Sequence, residues 1–501
     1  MTVMGTAKVA VILFLLCCSF TEVSDAAEFV IDKTRAADGQ IKETSKALAY
    51  FITGAIYDNF GETEKAINEY DKVLKIKSDV AEVYLKLGSD FLFLGKLDKA
   101  VSVLTKACEL DPENVKSYLL LAVIYTAKGD FQAAQAQHEK ALKYDPENLE
   151  VLTFLSDLFV VQQKFDKAAE MYEKIIEKRQ DEAFLYFYLG VIYSKLNLLD
   201  KAEKNLEKAV EMDQDYVEAQ MVLGFIYEID GKYAEAIKQY QKVITIDSVN
   251  REAHVRLGQL YHRLCETDKA IEQNKVLMRI EKVSPEPYLR NFGIYISEKK
   301  YDEAEAVLKE ALANGLSLGV VYAGLGYLET IRGNYDKSVI FYNKAIEKDP
   351  GNDMYRFYLA TAKDRDNKRS QAIEILENIV LQGKDIPEVF NYLGYIYAEE
   401  EKNLDRAVEL LERAVSLKPE NGAYLDSLGW AYYKKGLFKK ALFYLEKAVK
   451  YQSEDAVIRE HLGDAYLANG EVNQALEAWD KAVKINPGNK VILKKIEKVK
   501  R

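Results

Sequence analysis

Cysteine, histidine, proline and tryptophan are all scarce in this 501-residue sequence, at four, four, eight and two copies. Two of the cysteines, Cys17 and Cys18, lie near the N-terminus, so only Cys108 and Cys265 remain in the body of the chain. That is too few for a disulfide framework, and none is expected. The histidines offer no metal centre: His254 and His262 are eight residues apart on one predicted helix, whereas ligands on adjacent turns need three or four. His138 reads as a core or half-buried residue, and His461 as a surface partner of Asp464. The sequence has no CxxC, no phosphate loop and no GxSxG. An enzyme is not expected, nor is any cofactor.

Basic character is also lacking. The formal net charge of −11 argues against nucleic acid as the main partner, because such binders need a basic face. Long apolar runs are missing except at the start, where Lys8 precedes the twelve-residue run Val9 to Phe20 and small residues follow at Ser24, Ala26 and Ala27. A membrane-spanning helix needs about 20 apolar residues, so the segment reads as a signal peptide over residues 1–26. The alternative is a lipoprotein signal over 1–17 with Cys18 as the lipidated residue, although Cys17 fits poorly before it. Either way the chain is expected to be exported, and a lipid anchor would be its only membrane attachment.

What the sequence has in quantity is 49% hydrophobic residues, 30% charged residues and 34 tyrosines, a composition suited to helices carrying aromatic knobs. A period of 34 residues organises them. Gly54, Gly88, Ala122, Ser156, Gly190, Gly224 and Gly258 follow one another at that interval, with Gly326, Ala360 and Gly394 in the same register. One extra residue near Glu401 to Leu404 shifts the series to Gly429 and Gly463, which makes thirteen repeats with Phe292 the only large occupant. We call this position the small mark. Twelve residues later comes a second small position, as in Ala66, Ala100 and Ala134, expected on the next helix facing the first. Rings three residues past the mark, such as Tyr57, Phe91 and Tyr125, are expected to fill the gap between the helices. Glycines such as Gly61, Gly95 and Gly129 end the first helix, and every proline falls between repeats or in a first helical turn.

Tyr84, Leu87, Gly88, Phe91, Gly95, Ala100, Ala107 and Asp111-Pro112 together resemble the tetratricopeptide repeat, and the match extends over about 440 residues. The resemblance implies an all-α, right-handed superhelical solenoid of about thirteen helix-turn-helix repeats that binds proteins or peptides on its concave face. The C-terminal stretch Tyr424 to Pro487 is similar to repeats of bacterial cell-envelope proteins of that family, which implies a periplasmic or outer-membrane-associated location. The expected organisation is a polar segment at 27–46, repeats 1–7 at 47–284, repeats 8–13 at 285–489 and a capping helix at 490–501. Such a cap would cover the last apolar face with Val491, Ile492, Ile496 and Val499. The repeats consume the chain, so no catalytic domain is expected at either end.

On the family's geometry the inner wall is built by first-helix residues three before and one after the small mark. The candidate partner-binding residues are Leu85, Leu119, Val123, Phe187, Val191, Met221, Phe225, Tyr327, Phe357, Tyr395 and Trp430, together with Tyr433. The wall is mostly apolar through the sixth repeat and turns acidic at Asp426, Glu460 and Asp464. An open apolar wall of that kind suits an amphipathic helix or extended segment. Neither known carboxylate clamps nor asparagine ladders of the family match it. The functions expected are a scaffold for envelope assembly, secretion or polysaccharide export, a holder of exported chains, or a regulatory subunit of a separate enzyme.

Overall fold

The computed structural model describes residues 38–500, which form 27 helices from Asp38–Asn59 to Lys490–Lys500 and no strand. The leader and Cys18 lie outside the described residues. The stretch expected as a polar segment up to residue 46 is helical from Asp38 onward, in the opening turns of the first helix. Spatially the chain divides into two compact units, one ending at Leu260 and the other starting at Tyr261. Each is a stack of helix pairs, and no described helix is long and apolar enough to cross a membrane.

The glycines at the small mark show why the helices pair. A Cβ on Gly88 would lie 2.4 Å from the Leu104 side chain, and one on Gly224 would lie 2.7 Å from the Tyr240 ring. Gly190 meets Leu206, Gly429 meets Leu445, and Gly463 meets Trp479 in the same way. The knob is thus the residue sixteen positions on, in the second helix of the same repeat; Gly394 meets Leu411 at seventeen because of the inserted residue. These knobs are core residues, with Leu104, Leu206 and Tyr240 all fully buried. Ala66, Ala100, Ala134 and their successors are fully buried beside them, as expected.

The rings three past the mark do a different job from the one expected. Tyr227 donates its hydroxyl to Glu207 at 2.6 Å, Tyr397 to Glu377 at 2.9 Å, Tyr432 to Glu412 at 2.6 Å and Tyr466 to Glu446 at 2.8 Å, and Tyr193 pairs likewise with Glu173. Each glutamate lies on the second helix of the preceding repeat, so the ring packs between repeats and its polar tip ties them together. A second tie recurs four residues before the mark, where a side chain donates to a backbone carbonyl six residues earlier. Tyr84 reaches Ser78 at 3.1 Å, Arg356 reaches Pro350 at 2.7 Å and Arg459 reaches Ser453 at 2.8 Å. His254 occupies the same place, its Nε2 3.1 Å from the Ser248 carbonyl, so a loop tether accounts for its burial.

Between the helices of every repeat one residue adopts the left-handed conformation. Seven repeats use glycine there, from Gly61 (φ 71°) to Gly470 (φ 83°). The other six use Gln163, Asn197, Cys265, Lys299, Asn367 and Glu401, all with φ between 55° and 59°. The following amide returns to the ring position, as in Lys96 N–H to Phe91 C=O at 2.8 Å, which is the closure of a helix C-terminus. The inserted residue is absorbed at Asn403, a second left-handed residue (φ 50°) placed just before the helix Leu404–Leu417. At the C-terminus, Ile492 and Ile496 of the helix Lys490–Lys500 cover Ala475, Trp479 and Ala482.

Two substitutions test this account. Gly88→Ala should lower the thermal unfolding midpoint, because overpacking against Leu104 costs about 1–3 kcal/mol and exceeds the helix-propensity gain of about 1 kcal/mol. Lys299→Gly should raise it, since it relieves a left-handed side chain costing roughly 1–2 kcal/mol. A Gly88→Ala protein as stable as the parent would remove the knob-and-gap explanation.

Candidate interaction surface on the first helices

First-helix residues three before, one after and four after the small mark are one helical turn apart and form a single stripe. The structure places the predicted residues unevenly along it. Leu85 and Leu119 are 7% and 1% exposed, so both belong to the core and leave the candidate set. The reason is local. Leu85 is covered by Leu120, Leu121 and Ile124 of the next repeat, and Leu119 packs with Ala141 and Val151.

Phe225 and Tyr327 are exposed, while Val123, Phe187, Val191, Met221, Phe357, Tyr395, Trp430 and Tyr433 are half-buried. In the first unit Phe187 lies 5.1 Å from Tyr216 and 5.4 Å from Tyr188, ring centre to ring centre. Tyr188 in turn stacks on Tyr172 at 5.9 Å. Phe225 carries the Arg256 guanidinium 5.1 Å from its ring centre. In the second unit Phe357 meets Tyr392 edge to face at 5.8 Å, with Tyr392 donating its hydroxyl to Asp364 at 2.9 Å. Tyr188, Tyr216 and Tyr392 are members of these clusters that the pattern at two positions per helix passed over.

At the end of the second unit, rings and charged groups interlock. Trp430 stacks on Tyr433 at 4.8 Å and on His461 at 4.0 Å, and its indole N–H donates to Glu399 at 2.6 Å. The expectation for His461 is corrected here: it is 8% exposed, and its Nδ1 lies 2.9 Å from Asp426 in the preceding repeat. Asp464 takes other partners, Lys495 Nζ at 2.7 Å and the Trp479 indole at 3.1 Å. Burial opposes a charged imidazole, but the Asp426 carboxylate, aided by Asp464 and Glu460, outweighs it and raises His461 above its ordinary value. Tyr395 is pushed up to about 12, first by burial and then by Glu399 and Asp426. No group of three metal-ligating side chains occurs among the described residues. His138 is buried, and burial alone pushes it down to about 4.

The family model described as the Cilia and flagella-associated protein 70 C-terminal domain matches residues 19–242. A TPR repeat model matches 229–264, and one described as Tetratricopeptide repeat matches 295–353, 359–422 and 427–490. Among solved structures, the chain is similar to Naa15/Naa10 bound to HypK-THB, with 17% identity over 87% of this chain and 68% of that one and a TM-score of 0.45. It is similar to the APC/C hetero-tetramer Cut9-Hcn1 at 16% identity, covering 91% and 97% with a TM-score of 0.43. YrrB, described as a TPR protein with an unusual peptide-binding site, shows 24% identity over 39% and 97% with a TM-score of 0.32. No curated protein matches the sequence.

The buried His461–Asp426 pair gives a signed prediction. The folded chain keeps a proton that an unfolded imidazole loses near about pH 6.5, so the stabilisation is complete below that value and is lost as pH rises through the raised one. Thermal midpoints measured by circular dichroism should therefore fall on the alkaline side of this window in the parent. The slope should flatten in His461→Asn, and equal slopes would exclude the pair as its source.

Proposed function

The chain belongs to the tetratricopeptide-repeat family, and from that premise we propose that it is a non-enzymatic scaffold that holds segments of partner proteins along its first-helix stripe. The observation that carries this reading is that each unit leaves on its stripe a ring that the fold does not need to bury. Phe225 is 41% and Tyr327 48% exposed, although the core already contains Tyr70, Tyr240 and Tyr342 at 2% or less. Water-facing rings on rigid helices cost little side-chain entropy to order, which makes them good anchors for a partner.

The apolar leader and the similarity of the C-terminal repeats to envelope proteins favour an exported scaffold that gathers components of an assembly, secretion or export machine. Capture of exported chains is the second reading, favoured by the apolar side chains that stay accessible on the first unit's stripe, Val123, Phe187, Val191, Met221 and Phe225. A photoreactive amino acid at Phe187 or Phe225 distinguishes them: a scaffold yields one dominant crosslinked partner, a holder yields many. Phe225→Glu should abolish crosslinking through a probe at Phe187 while leaving the helical circular dichroism signal unchanged. Retained capture would exclude the stripe. Mass spectrometry of the mature N-terminus tests export separately, with Ala27 indicating cleavage and a lipid on Cys18 an anchor.

A further inference from the structure

The stripe has a one-sided charge. Its three positions in thirteen repeats make thirty-nine sites, and none is Lys or Arg, although 69 of the 501 residues are one or the other. Seven are acidic: Asp58, Asp157, Glu228, Asp364, Asp426, Glu460 and Asp464. The cations stand elsewhere. In the first unit Lys201, Lys204, Lys208 and Lys242 line an open groove of about 860 Å³ built mostly of second-helix residues.

Most of the stripe carboxylates already have a partner from the chain. Arg256 lies 3.7 Å from Glu228, Arg369 2.7 Å from Asp364 and His461 2.9 Å from Asp426, and Lys495 is 2.7 Å from both Glu460 and Asp464. Asp58 accepts the Tyr70 hydroxyl at 2.6 Å. Asp157 stands apart. It is exposed, and its single partner is the Tyr172 hydroxyl at 3.3 Å, longer than a good O–H···O bond. The wall around it raises its carboxyl above the ordinary value, as crowding by protein does to an acid with no cation beside it.

One repeat pair further along, the chain shows what such a place can hold. The Arg256 guanidinium sits near Glu228 and over Phe225, a carboxylate and a ring serving one cation. Asp157 has a ring beside it and no recorded cation: its partner Tyr172 stacks on Tyr188, and Tyr188 lies beside Phe187.

We propose that Asp157 receives a cationic side chain of the bound partner, a Lys or Arg projecting from an otherwise apolar segment that lies across Val123, Phe187 and Val191. This rests on the stripe being the holding surface. The apolar contacts supply the bulk of the attraction, and the single charge fixes the register of the segment and excludes acidic ones. The Asp157 carboxylate gains a charge-assisted partner, and none of the stripe positions around it is a Lys or Arg that would repel the incoming cation.

The test uses the full chain and three fluorescent helical peptides of about 16 residues with one Leu-rich face, identical except for a central Lys, norleucine or Glu. Anisotropy should show the Lys peptide bound more tightly than norleucine and the Glu peptide most weakly. Asp157→Asn should weaken the Lys peptide by about tenfold and leave the norleucine peptide unchanged. Asp166→Asn, an acid on a second helix, should change neither. Equal binding of the Lys and norleucine peptides, or an equal effect of Asp157→Asn on both, overturns the assignment while the holding surface stands. If none of the three binds, the holding surface falls and the assignment with it.

Discussion

The contact on which the rest depends is the insertion of a second-helix knob into a first-helix gap sixteen residues earlier. With Leu104 seated on Gly88, or Tyr240 on Gly224, the two axes approach more closely than a Cβ would allow. That closeness fixes which faces of the first helix turn inward against its partner and which remain. The first-helix stripe is what is left over. Where its side chains reach water, they do so by the same packing rule, because one helix face cannot both seat the knobs and meet solvent.

Polar ties then convert a set of helix pairs into a stack. Tyr227 and Glu207, or Tyr432 and Glu412, join neighbouring repeats through a half-buried hydroxyl, and Arg356 or His254 pins the loop between them. Each such bond is worth about 1 kcal/mol net, small beside the burial of the ring that carries it. Their contribution is one of geometry. A ring alone could rotate on its neighbour, whereas a ring whose tip must find a glutamate holds the two repeats at one angle. Stability in such a stack is a sum of repeat and interface terms, so a recurring tie adds to each interface that carries it.

The sequence makes the period, the small marks, the left-handed turns and the capping helix readable, because each is set by sterics within about 40 residues. Six turns without glycine, such as Lys299 and Glu401, carry no such signal in the sequence, and the structure shows them left-handed. What the pattern hides is partner choice. That the gap is filled from sixteen residues on, and not by the ring at three, depends on side-chain direction in the paired helix. That Leu85 and Leu119 are covered depends on how far the next first helix leans over them. His461 pairs with Asp426 across a repeat boundary, and helical spacing alone favoured Asp464.

Among the positions that violate the core pattern are Asp90 and Asn291, and the architecture explains why the chain tolerates them. Asp90 stands two past the mark, where Ile124, Ile192 and Ile226 are buried elsewhere; it is 7% exposed and pushed up to about 8, by burial first and then by the neighbouring Asp58 charge. Asn291 stands one before the mark, where Leu87, Leu223 and Leu325 are buried, and accepts a hydrogen bond from Asn274 at 2.8 Å. In a globule with one core, a buried acid or amide weakens everything packed around it. In a stack, each repeat touches only its neighbours, so the cost of Asp90 stays with the first two repeats and that of Asn291 with the seventh and eighth. The same confinement lets the stripe change from one repeat to the next without disturbing the fold, and this freedom allows one scaffold to carry a lone acid at Asp157 and a locked acid–aromatic cluster at Trp430.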